Sequence, residues 1–386
     1  MTKRSPTRCT RVACGGWTAP VLVVAAVSLP SCTASPDFVA VELSASAAGR
    51  AGAGASDGGG GGASSQGGWG GSETTGGASS GGTDLVVSAL ELSGDLEAHD
   101  SCVIEAEGRF TLFYTGPGIR MKVSDDLLVW EEAGSAFAEN PAWIAERVPD
   151  ATELWAPDVS FFGGVYHLYY AASTFGSGRS CIGHATTESL AMPIQWVDRG
   201  AIICSDPDGV DVDDWDAIDP NALTDTDGTR WMVFGSFGSG IKLLQLDSSG
   251  ARASDELHPL AARSADNTAI QAAFVLYRAP YYYLFVSFDY CCRGVSSDDN
   301  IRAGRATDIL GPYVDRDGVP MLDGGGTLLL AGNDRWRGVG ANSILSTGGR
   351  DYNIYHSYDA NAAGRATLRI SEVAWDPEGW PLLGGP

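Results

Sequence analysis

The chain has 386 residues, 44% of them hydrophobic, with 48 acidic against 25 basic side chains and a net charge of −23. So acidic a surface repels nucleic acid and polyanionic polymers, which leaves a neutral polymer or a small neutral solute as the expected partner. Eight cysteines are present, but no spacing matches a zinc site and there is no HExxH motif.

Taken in order, residues 1–31 read as an export signal. Lys3, Arg4, Arg8 and Arg11 form a basic leader, and Ala19 to Leu29 is an apolar run too short to span a bilayer. Removing those four basic residues takes the net charge to −27. Leu29–Pro–Ser–Cys32 has the pattern of a bacterial lipobox. Cys32 is therefore the expected lipid attachment point, and the protein is expected at the bacterial cell envelope. Ordinary signal cleavage and secretion is the alternative. Residues 32–83 are Gly/Ser/Ala tracts with little to bury, expected to act as a flexible tether. Residues 84–386 form the folded part, long for one domain but within the range of closed all-β folds. A monomer is expected.

Within it an aromatic–x–aliphatic–aromatic strand core recurs at Phe110, Tyr166, Trp231, Tyr282 and Tyr352, spaced by 56, 65, 51 and 70 residues. A Gly or Pro turn precedes each core, so each unit reads as a hairpin strand. Five units of this size predict an all-β fold, a five-bladed β-propeller, in which each sheet buries its faces against its neighbours. Ten to twelve residues upstream of each core lies a second element: His99–Asp–Ser–Cys102, Trp155–Ala–Pro–Asp158, Ile218–Asp–Pro–Asn221, Ile270–Gln–Ala–Ala273 and Gly340–Ala–Asn–Ser343. If the strands carrying them are innermost, Asp100, Ala156, Asp219, Gln271 and Ala341 are the matched positions facing the channel. Between two of these units, Ser205 to Asp219 holds seven aspartates in fifteen residues. It lacks the Gly and Glu placement of an EF-hand loop and reads as a solvated acidic loop.

Of the cysteines in the folded part, Cys102, Cys181, Cys204, Cys291 and Cys292, the odd number leaves at least one outside any internal pairing.

Two aspartates meeting in an enclosed channel suggest acid/base cleavage of a glycosidic bond. Inversion needs a base to activate water and an acid to protonate the leaving oxygen, and a further carboxylate can raise the pKa of the acid. Asp100 and Asp219 are the candidates, a structural turn-capping role being the alternative for each. Trp155 and Phe175 are candidate sugar-stacking platforms, or ordinary core aromatics.

The motifs Leu154–Trp–Ala–Pro–Asp158, Ser173–Thr–Phe–Gly–Ser177, Ala217–Ile–Asp–Pro–Asn221, Phe234–Gly–Ser–Phe237, Phe285–Val–Ser–Phe–Asp–Tyr–Cys–Cys–Arg–Gly294 and Gly311–Pro–Tyr–Val–Asp315 resemble glycoside hydrolase family 43, closest to the endo-α-1,5-L-arabinanases. The resemblance covers about residues 95–383. It implies inverting cleavage of α-1,5-arabinan, with Asp100 as general base and Asp219 as the group that tunes the acid. It also implies sugar contacts by Trp155, Phe175, Ala217, Ile218, Ser236 and Phe237.

Three positions depart from the family pattern. The general acid is a Glu where this chain has Gln271, and a carboxamide cannot deliver a proton. A His associated with a central divalent cation is Ala341 here, which weakens that cofactor, and Ser101 stands where Pro is usual. The resemblance therefore implies an arabinanase of impaired turnover. The alternative is a non-catalytic surface protein binding arabinan or its oligosaccharides on the same scaffold.

Overall fold

The computed structural model describes residues 87–206, 214–264 and 266–386. The chain divides into two units, Met1–Ala78 and Ser79–Pro386. The expected leader, the lipidated Cys32 and the tether lie outside the described residues, as does the middle of the aspartate-rich loop.

The described residues form five small sheets. Blade 1 contains β1 (Ser93–Gly94), β2 (Cys102–Ala106), β3 (Arg109–Tyr114), β4 (Arg120–Ser124) and β5 (Val129–Ser135). Blade 2 contains β6 (Leu154–Phe162), β7 (Val165–Ser173), β8 (Ser180–Thr187) and β9 (Val197–Ser205). Blade 3 contains β10 (Asn221–Thr224), β11 (Arg230–Phe234), β12 (Ile241–Leu246) and β13 (His258–Ala261). Blade 4 contains β14 (Ile270–Arg278), β15 (Tyr281–Phe288), β16 (Asn300–Ala306) and β17 (Thr327–Leu330). Blade 5 contains β18 (Trp336–Thr347), β19 (Arg350–Asp359), β20 (Arg365–Trp375) and β21 (Pro381–Leu383). Blades 2 to 5 are up-and-down meanders in chain order, and blade 1 adds β1 in parallel beside β5.

Both faces of a blade are buried, which is why its central strands are apolar on alternate residues in both directions. Along β11, Met232 packs with Ile182 and Tyr169 of blade 2, while its neighbour Val233 packs with Leu284 and Val286 of blade 4. The same arrangement joins blades 1 and 2 through Phe113 and Leu168, and blades 4 and 5 through Phe285 and Tyr355. Leu112 and Trp130 of blade 1 pack against Ile354 and Leu368 of blade 5, which closes the ring. The result is a five-bladed β-propeller, as the repeat predicts.

The segment entering the first blade reinforces that closure. Ser88 bridges Gly385, Ala89 bridges Ser371 and Glu97 bridges Thr367. Cys181 and Cys204, opposite each other on β8 and β9, form a disulfide, and Cys291 pairs with its neighbour Cys292. Cys102 is buried and unpaired.

Candidate active site

The strands β2, β6, β10, β14 and β18 each lie at one edge of their sheet and contact one another in turn around the axis. Each of the upstream elements found in the sequence sits on or just before such a strand. A small axial cavity of about 40 Å³ is lined by three consecutive residues from every blade: Asp100–Cys102, Ala156–Asp158, Asp219–Asn221, Ala272–Phe274 and Ala341–Ser343. The leading residue of each triplet has a left-handed backbone, with φ of 49° at Asp100, 42° at Ala156, 56° at Asp219, 54° at Ala272 and 49° at Ala341. Blade 4 is therefore offset from the expected register. Ala272 holds the matched position, and Gln271 precedes it, level with His99, Trp155, Ile218 and Gly340. The strand pairing confirms this alignment: β14 bulges after Gln271, as β6 does after Trp155 and β18 after Gly340. A bulge adds a residue to one strand and re-aims the side chains beside it.

Above the axial cavity opens a cleft of about 670 Å³. Asp100, Asp219 and Gln271 line it, as do Trp155, Phe175, Ile218, Ser236 and Phe237. Phe175 stands on the rim, 76% exposed, and Ser236 is buried with its hydroxyl unpartnered. Ala217 does not reach the cleft. It is fully buried in the core between blades 2 and 3, and its N–H donates to the hydroxyls of Ser180 and Ser205, 3.1 Å each. Its neighbour Ile218 lines the cleft as expected, so of this pair the expectation of a sugar contact is corrected at Ala217 alone.

Asp100 is held from three sides. Its Oδ2 lies 2.7 Å from His99 Nδ1 and accepts from Thr115 Oγ1 at 2.9 Å, and its backbone N–H donates to His356 Nδ1 at 3.2 Å. Burial would raise its pKa, but the charge and hydrogen bond of His99 outweigh it and hold the carboxyl down at about 2. Asp219 goes the other way. Burial and then the nearby negative charge of Asp100 push it up to about 8, although Ala272 N–H donates to its Oδ2 at 2.9 Å. The two carboxyls are thus shifted in opposite directions, Asp100 toward the ionised form and Asp219 toward the neutral one.

Below them Asp158 is buried and structural. It accepts from Asn221 Nδ2 at 3.0 Å and Ala222 N–H at 2.9 Å, tying blade 2 to blade 3.

Several cleft residues escape the sequence reading. His356 stacks on His99 with ring centroids 4.0 Å apart, and burial and the neighbouring His99 depress its pKa to about 3. Tyr358 bonds His99 Nε2 at 2.7 Å through its hydroxyl and accepts from Cys292 N–H at 2.8 Å. Tyr290, the Cys291–Cys292 pair and Asp299 complete that wall. His356 and Tyr358 are two apart on β19 and so share a face, a period-two signal directly after the aromatic core.

His99, Asp100 and His356 are the one group of potential metal ligands that comes together among the described residues, with ligand atoms within 4.8 Å of one another. Of the four ring nitrogens only His356 Nε2 is without a partner. His99 Nδ1 is paired with the carboxylate, and the lone pair of His356 Nδ1 accepts the Asp100 N–H. At Ala341, where the resemblance implies a histidine, there is no donor. These residues do not fit a central cation, and no chemical step here is derived through one.

Residues 94–381 match the family described as Glycosyl hydrolases family 43. The chain belongs to that family. It is 39% identical to the extracellular endo-α-(1→5)-L-arabinanase 1 of Bacillus subtilis (strain 168), over 73% of this chain and 86% of that one. It is 38% identical to the extracellular exo-α-(1→5)-L-arabinofuranosidase ArbA of Cellvibrio japonicus, over 75% and 86%. Among solved structures, this family 43 chain superposes on the Bacillus licheniformis endo-arabinanase with a TM-score of 0.71 and 40% identity, covering 76% and 99%. The Cellvibrio cellulosa α-L-arabinanase complexed with arabinohexaose gives a TM-score of 0.71 at 37% identity, covering 75% and 95%.

Proposed function

We propose that the protein is an endo-acting α-1,5-arabinanase that inverts the anomeric centre and turns over slowly. The observation that carries this reading is the pairing of Asp100 and Asp219 in one cleft, with their carboxyls shifted in opposite directions. Ionised Asp100 takes a proton from a water molecule as that water attacks the anomeric carbon. Thr115 fixes one carboxylate oxygen, and His99 aligns and stabilises it. Neutral Asp219, anchored by the Ala272 N–H, orients the group opposite the base. Trp155, Phe175 and Phe237 offer faces for arabinofuranosyl rings. The complex of a similar arabinanase with arabinohexaose supports an oligosaccharide of that kind as the ligand.

Gln271 lines the cleft where the family resemblance expects the acid, and its carboxamide has no proton to give. Loss of a general acid costs about 10²–10⁴-fold in rate, so slow turnover is expected. The same residue favours a second reading, a protein that holds arabinan without cutting it. Release of reducing ends from debranched arabinan by the full chain decides between them, with product sizes and the anomer formed followed by NMR. A ladder of α-1,5-oligosaccharides with inverted anomers supports the enzyme. Calorimetric binding of arabinohexaose with no product after prolonged incubation supports the binder.

Export is part of the proposal, supported by the leader-like residues 1–31 and by the two relatives named as extracellular. Mass spectrometry of the native N-terminus tests for lipid on Cys32.

A further inference from the structure

Asp299 is a carboxyl that the arabinanase reading leaves without a role. It immediately precedes β16, is 1% exposed, and neither side-chain oxygen has a hydrogen-bond partner. Yet it lines the cleft together with His99, Asp100 and Gln271. Space for it is cut by two glycines. Gly338 and Gly340 lie two apart on β18, and a Cβ on the first would overlap Asp299 Oδ1 while one on the second would overlap Oδ2. A buried charge without a partner is expensive, and such a group relieves the cost by keeping its proton. Burial does push this carboxyl up, to about 7, against the opposing pull of His99 and with help from Asp100 and Asp298.

Its position relates it to the missing acid. Gln271 on β14 pairs with Ser287 on β15, and Ser287 pairs with Ile301 on β16, two residues beyond Asp299. The two sites therefore belong to one blade and open at the same end of its sheet, with backbones about 12 Å apart, two strand spacings across and two residues along. The effect of Asp100 on Asp299 places the expected base within electrostatic range as well.

We infer that Asp299 is the proton donor of this cleft, in place of the carboxyl that residue 271 lacks. This rests on the arabinanase reading. In the step, Asp100 removes a proton from water and the water oxygen bonds to the anomeric carbon. The bond from that carbon to the leaving oxygen breaks, and that oxygen takes the proton from Asp299. Asp100 ends protonated and Asp299 ionised, beside His99, and exchange with solvent restores both.

The test compares two substrates on the full chain: linear arabinan, whose alkoxide leaving group needs a proton, and an arabino-oligosaccharide with a dinitrophenolate leaving group, which does not. Asp299→Asn keeps the size of the side chain, and Gly340→Ala keeps the carboxyl but displaces it. Each variant is expected to lose about 100-fold or more on arabinan and far less on the activated substrate, the pattern of a lost general acid. Adding Gln271→Glu to Asp299→Asn is expected to restore turnover of arabinan. Equal losses on both substrates would assign Asp299 a structural role and overturn the inference. Undiminished turnover of arabinan by Asp299→Asn would overturn it while leaving the arabinanase reading intact. An unmodified protein that cleaves only the activated substrate has its base but no acid, which also defeats Asp299. If it cleaves neither, the arabinanase reading falls and takes this inference with it.

Discussion

Blades 1 and 3 differ from blades 2, 4 and 5 at one structurally matched position. The backbone is left-handed in all five, but the side chain is Asp100 or Asp219 in the first group and Ala156, Ala272 or Ala341 in the second. Alanine adopts the kink with no polar side chain, its N–H donating to Thr115 Oγ1 at Ala156, to Asp219 Oδ2 at Ala272 and to Ser287 Oγ at Ala341, so the kink belongs to the ring: each innermost strand must turn at the mouth of the channel. The side chain is then free for chemistry. Two blades use that freedom, and three accept the cost of about 1–2 kcal/mol for a non-glycine residue there.

The strongest way to break this comparison is to remove the base from blade 1. Asp100→Asn should lower turnover of arabinan by about 10³-fold, within the range for a lost general base, while calorimetry still finds oligosaccharide binding. Next in size, a carboxyl at residue 271, beside the kink of blade 4, should act as a better-placed acid than Asp299. Gln271→Glu is expected to raise the rate of reducing-end release by at least about 100-fold. Brisk turnover by the unmodified protein with no gain in the variant would show that residue 271 is not the acid position.

A third prediction sets blade 3 against blade 1 through pH. The pKa of Asp219 is raised from 3.8 to about 8, so its contribution to stability is full below about pH 4 and is lost as pH rises through about 8. Asp219→Asn removes that loss. The melting temperature of the variant relative to the unmodified protein should climb from pH 4 to pH 9, even as activity disappears. Asp100 has the opposite sign: its pKa is lowered to about 2, so its contribution holds above 3.8 and is lost as pH falls through about 2. A flat difference between variant and parent across pH 4–9 would count against a neutral Asp219. The smallest effect is expected in the blades that carry alanine. Ala341→Gly relieves the left-handed strain for a net gain of about 0.5–1 kcal/mol, raising the melting temperature by about 2 °C.

The architecture is legible in the sequence because blade strands are buried on both faces. That demand writes aromatic and aliphatic residues into every second strand, and the Gly turns mark the period. The cleft is legible where motif and geometry coincide, at Asp100, Asp219, Trp155, Ile218 and Phe237. It fails at two places. In blade 4 the kink falls on Ala272 and not on Gln271, and the turn before Pro220 sends Ala217 inward while Ile218 faces the cleft. The elements lie ten to twelve residues upstream of the aromatic cores, and a range that wide does not fix which residue sits at the kink. Asp299 is hidden for another reason. It is one of 48 acidic residues in a strongly acidic chain, and only burial between β16 and two glycines of β18 distinguishes it. The Cys181–Cys204 pair likewise requires knowing that β8 and β9 are neighbours in register.

The bridge between Ser88 and Gly385 brings the two ends of the described propeller side by side. In connectivity the domain is close to a circle with a single nick, and the position of the nick is a matter of genetics more than of mechanics. A short linker across that gap, with new ends opened in the exposed Gly348–Gly349 hairpin, would give a permuted chain with the same blade neighbours and the same cleft. Such a chain would no longer depend on its outermost segments to hold the first and last blades together.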